Sequence, residues 1–398
     1  MKFNRRTLLV IALWAASAVF CHAATVVWTN TAGGNWNNAV NWDPNQVPGI
    51  NDAVIITNSI VTVSLGGAAS AGGITLGANL NCGTPTVLSL NGQTLTLNGP
   101  LVVGSCGQFT VDSGTLNGTA NASVSGQIGW TGGTLGGTLT LNADGTLLIS
   151  GANNNDMPNC TLTNNGTVTW VSGTIRAGGN PGTFIYNNGL WDAQSDQQMN
   201  NTFGGNGVVF NNFGTFRKSG GTSEFANATL FGQGVAFNQL AGVIDVQNGT
   251  NGLELALEGG GNLTGGFITT NQFGLTILSI GSFIVNGTVT GTNTWQDAGS
   301  LVGNNVINGA LTWVGGTWDE AAVTIAPNST VIVAGGSGVN DMQNASVTNN
   351  GTVVWVSGTI RAGGDPGTLI VNNGLWDAAC GRVVARRGAV GLAKVDLL

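Results

Sequence analysis

Residues 161–193 read TLTNNGTVTWVSGTIRAGGNPGTFIYNNGLWDA, and residues 346–378 read SVTNNGTVVWVSGTIRAGGDPGTLIVNNGLWDA. Only six of the 33 aligned positions differ. Four of them exchange one apolar or β-branched residue for another (Leu162/Val347, Thr169/Val354, Phe184/Leu369, Tyr186/Val371), and the others are Thr161/Ser346 and Asn180/Asp365. A near-identical return after 185 residues marks a repeat architecture. A shorter beat runs inside it. Asn-Asn-Gly recurs at Asn164, Asn187, Asn349 and Asn372, with a variant, Asn-Asn-Phe-Gly, at Asn211, giving spacings of 23, 24 and 23 residues. A second turn, Gly-Thr-apolar, falls at Gly114, Gly133, Gly173, Gly316 and Gly358.

Between these turns lie short alternating runs such as TLTL at 94–97 and TLLI at 146–149. Period-2 alternation over so few residues is a strand signal, and no stretch after residue 23 sustains helical periodicity. The spacing predicts an all-β chain, a right-handed parallel β-helix (β-solenoid) with rungs of about 20–25 residues. Stacked rungs place like residues above like, so turn asparagines should form amide ladders and aliphatic residues a continuous interior column. Roughly 15 rungs at ~4.8 Å would make a rod near 70 Å. Antiparallel β-sandwiches would instead need regular two-residue hairpin turns, which are less evident here than the 23-residue beat.

Composition agrees. Gly is 66 of 398 residues and only 7% are charged, yet 42% are hydrophobic, so the chain has the apolar side chains to bury a core. Between residues 24 and 378 there are 17 acidic and four basic residues (Arg176, Arg217, Lys218, Arg361), a net charge of −13. Such a surface repels nucleic acid and anionic lipid, and neither is expected as a partner.

Residues 1–23 have the pattern of a signal peptide. Lys2, Arg5 and Arg6 precede an apolar run from 7 to 20, and Cys21-His22-Ala23 forms the cleavage region. The Arg5-Arg6 pair leaves the general and twin-arginine routes both open. The run is too short for a membrane span, and none is expected in the mature chain. Export makes Cys82 and Cys106 a candidate disulfide, with two small residues on neighbouring turns as the equal alternative.

Residues 24–63 carry Trp28, Trp36 and Trp42 between Gly-Asn turns, then Val47-Pro48-Gly49, Asp52 and the alternating Val54 and Ile56. This segment resembles the WN…NW…VP…D-x-V-x-I entry module of secreted bacterial β-helix and autotransporter-passenger-like (adhesin-like) proteins. The resemblance implies an aromatic cap over the first rung, followed by a β-helix from 64 to 378 whose duplicated block spans about 129–193 and 312–378. Residues 379–398 depart from the pattern: they lack Asn, Thr and Trp and hold four of the 11 basic residues. They are expected to be a truncated or out-of-frame tail.

Candidate sites are few. Arg176 with Asp192, and Arg361 with Asp377, are expected to form ion pairs between rungs. Trp170, Trp191, Trp355 and Trp376 recur in both copies and are candidate ligand-facing aromatics, with rung packing as the alternative. The matching Asn155-Asp156 and Asn340-Asp341 are the only candidate calcium ligands, and one carboxylate per loop is thin provision. No catalytic, cofactor-binding or metal residue is expected. The expected function is a non-enzymatic, structural and adhesive protein, exported to the extracellular space or outer surface of a bacterium and presenting a repetitive face to polysaccharide or cell-surface glycan. A β-helix polysaccharide lyase or glycoside hydrolase is the alternative.

Overall fold

Within each alternating run, every second side chain points inward. In Thr161–Asn164 these are Leu162 and Asn164, in Thr167–Trp170 Val168 and Trp170, and in Ile175–Gly178 Ile175 and Ala177. The chain turns between these strands and lays the next coil on top in parallel register. Leu162 stacks on Ile185, Val168 on Trp191 and Ile175 on Met199. In a computed structural model the described residues are 23–379, except 58–59, 78–82, 119–120, 153, 222–227, 249–251, 271–273 and 292. They form a parallel β-solenoid of about 14 turns with no α-helix. The signal-peptide pattern at 1–22 and the tail from 380 onward lie outside them.

Each coil has three faces, exemplified by Thr161–Asn164 (first), Thr167–Trp170 (second) and Ile175–Gly178 (third). The first two strands meet at the Asn-Asn-Gly turn, and here the predicted ladder is present. Asn164 Nδ2 donates to Asn187 Oδ1 at 2.7 Å, Asn187 to Asn212 at 2.6 Å and Asn212 to Gln239 Oε1 at 2.6 Å. In the second copy Asn349 donates to Asn372 at 2.6 Å. Glycine is required beside the ladder because the backbones close on each other. A Cβ on Gly189 would lie 2.2 Å from Gly166 O, and one on Gly214 would lie 2.2 Å from Gly189 O.

Register corrects one assignment. The ladder residue of the Asn-Asn-Phe-Gly turn is Asn212, not Asn211, because Phe213 takes the place of the outward Asn and the coil there is 25 residues long. Coil length ranges from 17 residues at Asn142 to 27 at Gln239.

At the amino-terminal end the strand Thr25–Trp28 pairs in parallel with Ala53–Ile56 and antiparallel with Trp42–Asp43. Trp42 packs edge-on against Trp28 and Trp36, each with ring centroids 4.8 Å apart, and donates from Nε1 to Trp36 O. Asp52 ties this segment down by accepting from the backbone N–H groups of Ala24 and Gly49.

The two long copies do not lie in line. From Thr161–Asn164 the first-face column runs through Thr183–Asn187, Val208–Asn212, Val235–Gln239, Gly261–Leu263, Ser282–Val285, Ser300–Leu301 and Gly316–Asp319. Eight coils up, it reaches Asp341 and Met342 in Thr330–Gln343. Their counterparts in the first copy, Asp156 and Met157, lie on the third face. The second copy is therefore turned by one face. The slip falls at Asn304–Trp313, where coils shorten to 18–20 residues. Asn308 and Gly309 of this strand pair back to the second face, and Thr312 and Trp313 to the third. Its first four residues pair forward with Ala322–Ile325, below the second copy's Ser346–Asn349.

Candidate ligand-binding surface

The recurrent tryptophans line the interior. Trp170 and Trp191 have no exposed surface, Trp355 is buried, and Trp376 is half-buried and packed on the core. This corrects their assignment as ligand-facing. They occupy inward positions of their strands because rung stacking gives the largest apolar side chains the space between faces. Trp170 Nε1 is satisfied by Gly173 O at 2.8 Å, and Trp355 repeats the bond to Gly358 O. Recurrence in both copies thus reflects packing.

The ion pairs also differ from expectation. Arg176 forms a bidentate pair with Asp156 on the coil below, at 2.6 and 2.7 Å. Arg361 does the same with Asp341. Asp192 instead accepts from Ser219 and Gln194 and lies on the second face, opposite Thr169. Asp377 likewise lies opposite Val354, away from the face of Arg361. Sixteen residues take the chain to the next face, whereas about one coil brings it back above itself. The Asp156 and Asp341 carboxylates are engaged by arginine rather than held open as calcium ligands, and Asn155 and Asn340 are buried in the interior. No group of three or more His, Cys, Asp or Glu is placed to hold a metal among the described residues. Cys106 is disulfide-bonded, and Cys82 lies outside the described residues.

One charged cluster had no signal in the sequence. Lys218 is the inward residue that ends Thr215–Lys218 and has no exposed surface. Its Nζ donates to Asp196 Oδ1 at 2.7 Å and Ser195 O at 2.8 Å. Gly221 leaves room for the pair: a Cβ there would lie 2.2 Å from Asp196 Oδ1. Burial pushes the ammonium below its ordinary range, opposed by Asp196. Nearby Glu254 sits on the third face with an apolar cluster outside the coil, comprising Ala256, Leu275 and Ile277 with Leu230 and Trp295 against it. Burial first, and then the charge of Asp196, push the Glu254 carboxyl up to about 7 against the pull of Lys218. Alternation cannot reveal this cluster, because its members come from a corner loop and two different faces.

The outward residues distinguish the faces. The second face carries Asp192, Arg217 and Asp245 in one row, with Arg217 Nε 3.2 Å from Asp245. The third carries Asp156, Arg176 and Glu254. The first face has thirteen strands, from Thr25–Trp28 to Ser300–Leu301, and none contains a charged residue. One outward row reads Val27, Ile55, Thr75, Val102, Ser123, Thr140, Thr163, Tyr186, Asn211 and Asn238. No protein family, characterised protein or solved structure matches this chain.

Proposed function

We propose that the protein is a non-enzymatic structural and adhesive rod, exported to the outer surface of a bacterium, that presents a repetitive solenoid face to glycan or to neighbouring cells. The observation that carries this reading is the first face: thirteen stacked strands, about 60 Å long at ~4.8 Å per strand, offering hydroxyl and amide groups and no charge. A surface of this kind suits repeated weak contacts to an extended partner better than chemistry at a point. The signal-peptide pattern at the amino terminus supports export, and the β-solenoid agrees with the resemblance to secreted adhesin-like proteins. Two measurements test it together: protease accessibility of the chain on intact producing cells, and retention of the full chain on glycan-coated surfaces. Protection from protease, with no retention, would overturn it.

A polysaccharide lyase or hydrolase is the second reading, and the Lys218, Asp196 and Glu254 cluster is the observation that favours it. Lys218 is sealed from solvent, however, and a general base must reach its substrate. Product release from a polysaccharide panel, abolished by Glu254→Gln, would replace the adhesive reading with this one.

A further inference from the structure

We propose that the first face is the binding surface for an extended, uncharged polysaccharide. This rests on the adhesive reading above and adds to it a place and a chemical class. Charge comes first. A polyanionic glycan needs cations, and this face offers none; the nearest charges in its flanking turns, Asp144 and Glu258, are acidic and would repel it. A neutral glycan meets neither obstacle.

Donors and acceptors then recur once per coil. Thr138 and Thr140 stack on Thr161 and Thr163, and further along Asn238 Nδ2 donates to Asn211 Oδ1 at 2.9 Å. Sugar hydroxyls spaced along a chain can exchange hydrogen bonds with such rows. Between these stretches Phe184 and Tyr186 face outward, half-buried, from a single strand. Aromatic rings in this setting stack on the apolar faces of pyranose rings. The second copy has Leu369 and Val371 at these positions, and its strand lies one face over. The aromatic pair is thus present where the face is uncharged. Toward the amino terminus the small outward residues Ala53 and Gly73 leave an open depression of about 630 Å³, bordered by Asn51, Asn98 and Val102. The face ends where the rotation of the second copy brings Asp319, Asp341 and Arg361 into its column.

The test is binding of the full chain to cellulose, chitin and β-1,3-glucan as neutral probes, with polygalacturonate and alginate as anionic ones. First-face variants are Thr140→Asp with Thr163→Asp, and separately Phe184→Leu with Tyr186→Val, residues the second copy already accommodates. Thr169→Asp on the second face is the control. At least one neutral polysaccharide should be retained, and each first-face pair should weaken retention roughly tenfold or more while the control stays near wild type. Retention of a neutral glycan that both first-face pairs leave unchanged would overturn the assigned place while sparing the adhesive reading. Preference for the anionic probes would overturn the assigned class. Failure to retain any polysaccharide would remove this proposal together with the glycan part of the reading beneath it.

Discussion

Asparagine 187 is bonded on both sides: it accepts from Asn164 and donates to Asn212 Oδ1 and Thr215 O, in full burial. Asn187→Ala leaves these partners unsatisfied in the interior and should cost about 2–4 kcal/mol in denaturant unfolding. Its neighbour Asn188, whose amide reaches Asn165 at the exposed surface, should lose little on the same change. Glu254 gives a pH signature. Its carboxyl is raised from an ordinary 4.5 to about 7, so between those values the folded chain holds a proton that the unfolded chain releases. Stability should therefore fall as pH rises through this window, by on the order of 2 kcal/mol, and then level off. Glu254→Gln should remove the slope; an unchanged slope across pH 4.5–7 would show that another group sets it. Cys160 is buried, with its thiol pushed up to about 12, so it should resist thiol reagents until the chain unfolds.

At the scale of the strand, the interior tryptophans decide between packing and recognition. Trp191 stacks above Val168 and meets Phe210 edge-on at a 5.0 Å centroid distance. Trp191→Ala should destabilise by about 3–5 kcal/mol, as deletion of a core aromatic does. A merely ligand-facing ring would change binding and leave the melting transition in place. The strands, their alternation and the amide ladder were legible because each depends on residues close in sequence or one coil apart. The pairing of Arg176 was not, since choosing Asp156 over Asp192 requires knowing which face each strand occupies. The Lys218 cluster was hidden for the same reason, and its corner loops follow no repeat.

The molecule as a whole is governed by how coil lengths add. A repeat of 185 residues would return to the same face only if it spanned a whole number of coils. Shortening near Asn304 makes it eight coils and one face, so surfaces shared by the two copies, such as the Arg176 and Arg361 pairs, point in different directions. One flat partner cannot engage both at once. Across the slip Ser300 lies beside Thr317. Paired strands are within disulfide reach, so Ser300→Cys with Thr317→Cys should cross-link on oxidation. Failure to close in the folded chain would count against the rotated register.

Periodicity alone was enough to establish an all-β solenoid, its approximate coil length, the asparagine ladder and the poverty of positive charge, because stacking turns a local pattern into a global one. Three-dimensional register decided the rest: which side chains face solvent, which acid meets each arginine, and where an uncharged face runs. The physical reason is that coils of 17 to 27 residues accumulate angular offset. Two identical stretches of sequence can then occupy different faces of the same rod.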